Sequence, residues 1–342
     1  MSMYDVQHFP ETRSKLNHME KIMKRTIQFL KVYQLRHSDF IGSTRHLEME
    51  RTLISIKTKK QAILQSVYAN VESQAEELQS PENIQACVTL QGTKCLLRCA
   101  ENLSKTDKHQ YYLGVFQYGS TVYVTEIGCP DKYGQMELKG EFIFPVMDPD
   151  FVIKATLYSM NVPKSIFWPI RFSPFMKFPL MKVTGEVNIT LQNTKHDKLI
   201  LSHPQFSIDV DDIPWLSTKI EIKVNWPSTL KGVVTVGIRK NNEVPTWTLR
   251  WCILENVYFK YYDYVTRDRY MPALGELNLS ECSKVKYTFY LNKKVIKLGF
   301  ETTTYKKTVF LKFDRQQEFK QWYDNIQKTI TLDKCWKTLD PL

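Results

Sequence analysis

Residues 247–263 read Trp-Thr-Leu-Arg-Trp-Cys-Ile-Leu-Glu-Asn-Val-Tyr-Phe-Lys-Tyr-Tyr-Asp. Two runs rich in β-branched and aromatic residues, Trp247–Leu254 and Tyr258–Tyr262, predict strands. A shorter run, Val233-Val234-Thr235-Val236, precedes them, and three more follow at 286–291, 295–300 and 308–313. From about Asp314 the period changes. Phe319, Trp322, Ile326 and Ile330 fall three or four residues apart, so one helical face is apolar. Asp314 is expected to cap that helix, with Gln317 completing a capping box. Strands followed by one closing helix give an α+β order, and Pro227 to Leu230 marks where this region begins.

Upstream of that boundary, residues 85–91, 111–117, 120–126, 151–158, 183–191 and 218–225 form short β-rich runs separated by turn residues, which predicts an antiparallel sandwich. One stretch interrupts it: Pro163 to Leu180, with Pro169, Pro174 and Pro179 inside it. Those prolines exclude a central strand or a regular helix. The stretch mixes Phe167, Trp168, Phe172, Phe175 and Phe178 with Lys164, Arg171 and Lys177. Ser80-Pro81-Glu82-Asn83 closes an earlier, helical region. There Leu16, Met19, Met23, Ile27, Leu30 and Tyr33 share one helical face. Ser38 to Ser43 breaks the pattern with turn-forming and N-capping residues. A second run passes through Leu47, Ile54, Ile56, Ile63, Leu64, Val67 and Val71. Two amphipathic helices joined by a short loop predict a hairpin. The second helix, at about 1.5 Å per residue, extends on the order of 45 Å. The expectation is that it projects from the body.

The chain has 342 residues, enough for two or three domains. Its formal net charge of +11 is unusual and favours a phosphate-bearing partner, either nucleic acid or the cytoplasmic leaflet. No run is apolar enough to cross a bilayer as a helix, and the first thirty residues lack a signal-peptide apolar core. Seven cysteines scattered from Cys87 to Cys335 suit free thiols in a reducing compartment.

At this point the residues resemble a family. Gly232-Val-Val-Thr-Val-Gly-Ile238, the Trp247–Tyr264 stretch, Leu274-Gly-Glu-Leu-Asn-Leu-Ser280 and Phe319-Lys-Gln-Trp322 look like a pleckstrin-homology (PH) domain. Within that group the Leu-Arg-Trp-Cys-Ile-Leu, Lys-Tyr-Tyr-Asp-Tyr and Leu-Gly-Glu-Leu-Asn-Leu-Ser-Glu-Cys segments are similar to anillins. Glu48–Leu64 resembles the second helix of the anillin Rho-binding hairpin. Phe206–Ser217 and the following Ile-Glu-Ile-Lys-Val resemble the end of its C2-like sandwich. The resemblance implies a multidomain α+β chain: an antiparallel helical hairpin (residues 12–79), a C2-like antiparallel β-sandwich (82–226) and a PH-fold barrel with a closing helix (229–334). It further implies a non-enzymatic scaffold of the contractile ring or intercellular bridge. Such a scaffold links a GTP-bound Rho-family GTPase, septins and acidic phosphoinositide membrane. Its expected place is the cytoplasm, at the cell cortex and cleavage furrow and on the cytoskeleton. A short form lacking the family's N-terminal actin- and myosin-binding region is expected.

The candidate sites follow. PH domains that bind phosphoinositide place bases at the end of the first strand and alternately on the second. Here Arg239, Lys240 and Arg250 are the matches, Thr248 departs from the pattern, and Lys260 and Tyr262 are expected to close the cup. Lys164, Trp168, Arg171 and Lys177 form a second candidate lipid contact, since aromatic rings favour the bilayer interface and bases meet phosphates. For the GTPase, the resemblance points to Gln34, Glu48, Glu50 and Arg51. The competing readings are ordinary solvated surface for the bases and helix residues, and folding back onto the sandwich for the aromatic loop. Asp148, Asp150, Asp209, Asp211 and Asp212 make only fragments of a calcium set, and Cys95 with Cys99 is poor zinc spacing. No nucleotide-binding or hydrolase motif is present. The expectations are therefore no metal, no cofactor and no catalysis. Two alternatives stand beside the scaffold: a Rhotekin-like Rho effector without a ring role, and a basic nucleic-acid-binding protein, for which no module motif is visible. The scaffold reading requires positive charge gathered along one edge of the barrel, beside a free-standing helical pair.

Overall fold

A computed structural model describes residues 10–36, 40–73, 85–97, 108–163, 179–202, 214–240, 244–263, 272–290, 293–301 and 306–337. The chain divides into two compact units, Met1–Lys223 and Val224–Leu342.

In the first unit, helix α1 spans Pro10–Arg36 and α2 spans Thr44–Ser73. Pro10 suits the first helical position, where its missing N–H costs nothing. The apolar face predicted for α1 is the one that packs: Leu30 is fully buried, and Met23, Ile27 and Tyr33 lie against it with Leu53 and Phe40. An ion pair between Glu20 and Lys60 joins the two helices and lowers the Glu20 pKa. The turn between them needs its glycine. Gly42 has φ +82°, and a Cβ there would stand 2.8 Å from Val162 Cγ1. Ser43 Oγ then accepts from the His46 amide at 3.3 Å and caps α2.

The strands of this unit are β1 (Ala86–Leu96), β2 (Lys108–Tyr118), β3 (Thr121–Val124), β4 (Gln135–Glu137), β5 (Phe142–Val146), β6 (Ile153–Pro163), β7 (Lys182–Ile189), β8 (Leu199–Ile200) and β9 (Trp215–Val224). One sheet has the order β4-β1-β9-β8 with β5 also paired to β1; the other runs β3-β2-β6-β7. The pairings of β1 with β4 and β5, of β2 with β3 and β6, of β6 with β7 and of β8 with β9 are antiparallel. Inner faces meet through Phe116 stacked on Phe142 at 4.6 Å and Tyr123 edge-on to Phe144 at 5.1 Å. The sequence reading anticipated six of the strands and missed β4 and β8, which are too short to carry a period, and β5, whose five residues alternate between buried and exposed around Pro145.

The helices do not stand free. Ile54 of α2 is buried in one cluster with Leu113, Val115, Met160, Val162 and Met181 of the sandwich. The expected projection is thus corrected: α2 carries a second apolar surface, and the sandwich buries it.

The second unit comprises β10 (Leu230–Lys240), β11 (Thr246–Glu255), β12 (Tyr258–Asp263), β13 (Gly275–Asn278), β14 (Cys282–Tyr290), β15 (Lys293–Glu301), β16 (Lys306–Lys312) and α3 (Gln316–Trp336). The sheet order is β13-β12-β11-β10-β16-β15-β14. Asn256, at φ 52°, forms the tight turn between β11 and β12, where Glu255 pairs with Tyr258. Trp322 of α3 is 4% exposed and meets Phe259 at 5.9 Å and Phe313 at 6.0 Å between ring centroids. The predicted cap is wrong in detail. Arg315 occupies the N-cap position without a side-chain bond, because Asp314 Oδ1 instead accepts from Lys293 Nζ at 3.3 Å.

Candidate functional site

Alternation along a strand assigns each base of the barrel to a face. Val234 and Val236 of β10 are buried in the core, as are Cys252 and Leu254 of β11. Arg250 pairs with Val234 and Asp263 and shares that inward face. Its Nη1 lies 3.4 Å from Asp263 Oδ1. Lys260 pairs with Ile253, and Tyr262 with Trp251, on the opposite, outward face. They do not close a cup around Arg250. Lys260 Nζ also sits between Glu276, 3.7 Å away, and Glu255, at 3.9 Å. Arg239 faces outward too, its guanidinium 5.5 Å from the Phe310 ring centroid. Lys240 ends β10, in register with Lys307. The predicted lipid set is therefore split across two faces, and two of its bases carry carboxylate partners. Lys164, Trp168, Arg171 and Lys177 lie outside the described residues.

The outward face holds a cluster that sequence spacing did not reveal. Trp247, Gly237, Phe310, Lys297 and Lys286 are successive partners across β11, β10, β16, β15 and β14. One transverse row thus runs from an indole to two facing lysines. Gly237 makes room for the indole: a Cβ there would lie 2.9 Å from the Trp247 ring. Trp247 packs on Tyr290 at 4.9 Å and Phe310 at 6.0 Å. The adjacent row reads Arg239, Thr308, Gly299 and Lys284. Lys284 and Lys286 are exposed. Contact with the Lys284 ammonium, and then the nearby Lys297, push the Lys286 pKa down. The Lys-Val-Lys spacing on β14 was the available signal, but its partners lie on strands that only the register identifies.

On the helices, Glu48 is exposed and pairs with Arg51 at 3.3 Å. Arg51 is largely committed: its Nε donates to Thr125 O at 2.7 Å and its Nη2 to Val124 O at 3.4 Å, clamping α2 to β3. Glu50 is not available to a partner. It is fully buried, and its Oε2 accepts from the Leu180 amide at 2.7 Å and the Met181 amide at 3.3 Å. Its assignment to a GTPase surface is corrected on that ground. Beside it, His46 Nδ1 accepts from the Gly42 amide at 3.1 Å, so Nε2 carries the ring proton. Nε2 lies 3.8 Å from Glu50 Oε1. Burial pushes His46 down to about 4 and Glu50 up to about 7, against the pull of the two amides. Gln34 belongs to α1 near its C-terminal end. Among the described residues no group of His, Cys, Asp and Glu is arranged to hold a metal ion, and no helix is long and apolar enough to cross a membrane. Burial pushes the Cys95 thiol up to about 12, which leaves it unreactive.

The family model of the PH domain matches residues 229–331, so this part of the chain is a PH domain. Its seven strands and closing helix are the barrel described above. Comparison with the curated proteins gives no match. Similar solved structures include the pleckstrin homology domain of ArhGAP27, at 14% identity over 30% of this chain and 99% of that one, with TM-score 0.26. The PH domain of human pleckstrin homology domain-containing protein family A member 5 has 17% identity over 33% and 81%, with TM-score 0.25. The paired C2 domains of Extended-Synaptotagmin 2 have 10% identity over 70% and 94%, with TM-score 0.27.

Proposed function

We propose that the protein is a non-catalytic, membrane-peripheral scaffold. Its PH domain holds an acidic, phosphoinositide-bearing bilayer, and its helix–sandwich unit offers surfaces to protein partners. The expected basic edge beside free-standing helices is not found, since the bases divide between two faces and α2 is seated on the sandwich; the observation that carries this reading is instead the PH domain at residues 229–331 in a chain of net charge +11. PH domains commonly bind phosphoinositide membranes, and basic surfaces gain about 1 kcal/mol per Lys or Arg near an acidic leaflet. Within this reading the scaffold is of the anillin type, acting at the cortex in cytokinesis with GTP-bound Rho and septins as partners. The exposed carboxylate of Glu48 supports the GTPase surface, as do Phe29 and Val32, which α1 leaves exposed.

Co-sedimentation with phosphatidylcholine vesicles, with and without phosphatidylinositol bisphosphate, tests the first part. Binding is expected only with the acidic lipid, and is expected to weaken as salt is raised. Equal recovery with both vesicles would remove the membrane role. Adding septin filaments separates the anillin reading from a Rho effector with no ring role, because only the former requires co-recruitment. Glu48→Lys is expected to abolish capture by GTP-loaded Rho while leaving the melting temperature unchanged, since Glu48 is half-exposed and Arg51 keeps its two carbonyl bonds. An unaltered pull-down would take Glu48 out of the contact.

A further inference from the structure

Strand β14 is the last of its sheet: β15 pairs with one side of it, and among the described residues no strand pairs with the other. An edge strand presents a row of unpaired N–H and C=O groups that another chain can meet. The side chains beside this edge differ between its two faces. Lys284 and Lys286 are exposed on one face, where Lys286 stands directly opposite Lys297. These three lysines have no carboxylate partner among the described residues, and like charges facing across two strands destabilise a sheet. Tyr287 and Phe289, 54% and 64% exposed, lie on the opposite face. That face looks toward α3. Tyr287 stands edge-on to Phe319 at 6.4 Å and to Tyr323 at 5.9 Å between ring centroids. Lys294, on this face too, lies over the Tyr287 ring, with Nζ 5.8 Å from the centroid.

Opposed faces of this kind select the occupant. A bilayer or a duplex nucleic acid can lie against one face only, and neither supplies amides to the free edge. An added strand reaches both faces, because its side chains alternate between them. Every second side chain would stand beside the lysines, where a carboxylate is favoured. The side chains between would stand beside Tyr287 and Phe289, where an apolar or aromatic group is favoured. A second copy of β14 does not fit, since twofold symmetry would set lysine against lysine. Lysines on an edge strand keep like strands away. The same charges that repel a basic strand admit an acidic one.

We propose that the free edge of β14 is a peptide-docking site. It takes an extended segment of a partner protein in which acidic and apolar residues alternate. The segment adds an eighth strand to the sheet, with its carboxylates on Lys284, Lys286 and Lys297 and its apolar side chains on the Tyr287–Phe289 face beside α3.

The test uses the full chain and the fluorescein-labelled peptide Ser-Glu-Leu-Glu-Phe-Glu-Ser, read by fluorescence anisotropy. Saturable binding is expected. The peptide Ser-Glu-Glu-Glu-Leu-Phe-Ser has the same composition without the alternation, and is expected to bind about tenfold more weakly. K284E/K286E is expected to lose about tenfold in affinity for the alternating acidic peptide. The same variant is expected to take up Ser-Lys-Leu-Lys-Phe-Lys-Ser, which wild type rejects, and that gain shows that the variant is folded. Hydrogen exchange separates strand addition from charge attraction: at saturation the acidic peptide is expected to slow exchange of amides within residues 282–290. Absence of binding overturns the proposal. So do equal affinities for the two acidic peptides, or exchange in β14 that the bound peptide leaves unchanged. A wild-type dimer with these amides already protected would give the edge to a second copy. Loss of vesicle or RNA binding in K284E/K286E with the peptide still held would give the lysines to those partners instead.

Discussion

Glu50→Ala is expected to lower the stability of the helix–sandwich unit by roughly 3 kcal/mol, read as a shift of its urea or thermal transition. The carboxylate is fully buried and satisfies two main-chain amides at once. Removing it strands both amides where water is excluded, at a cost of about 1–3 kcal/mol each. A loss below about 1 kcal/mol would mean that water enters and takes over both bonds. The same site shapes the pH dependence. Glu50 is raised from 4.5 to about 7, so its contribution is fully present below pH 4.5 and is lost as pH rises toward 7. His46 is lowered from 6.5 to about 4, so its contribution is present above pH 6.5 and is lost as pH falls toward 4. Between pH 4.5 and 6.5 the two slopes oppose, and for these two groups the wild-type profile is nearly flat. His46→Gln leaves only the carboxylate, and its stability is expected to fall as pH rises, by up to about 1.4 kcal/mol per pH unit. Glu50→Gln leaves only the imidazole and tilts the profile the other way. Parallel profiles in the two variants would refute the arrangement.

Trp322→Ala is expected to cost the PH barrel about 3–5 kcal/mol, seen as a lowered denaturation midpoint of that unit alone. The indole fills the space between Phe259, Phe313 and Gly232, and its loss leaves a cavity that strands β10, β12 and the end of β16 cannot close without moving. Trp322→Phe keeps most of the contact and is expected to cost clearly less. Vesicle binding is expected to follow the folded fraction in both variants, since the indole faces the core. A Trp322→Ala barrel as stable as wild type would show that α3 is not what closes it.

The PH unit was legible because its cues are local. Trp247–Leu254 and Tyr258–Tyr262 carry strand composition within ten residues of each other, and Phe319, Trp322 and Ile326 carry the helical period in one turn after another. Faces were not legible, because they depend on register. Arg250 and Lys260 read as neighbours on adjacent strands, yet Lys260 pairs with Ile253 and points outward while Arg250 points inward. Lys286 meets Lys297, Phe310 and Trp247 only through four strand pairings. Glu50 was misread for a related reason. Between Glu48 and Arg51 it resembles any solvated helix residue, and the amides it serves come 130 residues later. The length of α2, 30 residues, suggests a projecting helix, but length says nothing of what its faces meet. Ile54 seats it on the sandwich together with Glu50 and Arg51, whose contacts are polar in sequence.

That one oxygen of Glu50 receives both the Leu180 and the Met181 amide has a mechanical consequence. The proline-rich run that leaves β6 at Pro163 rejoins the sandwich at these two residues, so its downstream end is moored to a helix rather than to a neighbouring strand. The two amides must let go together, since neither bond outlasts the departure of the shared acceptor. Their hydrogen exchange therefore serves as a native gauge of whether the helix is seated.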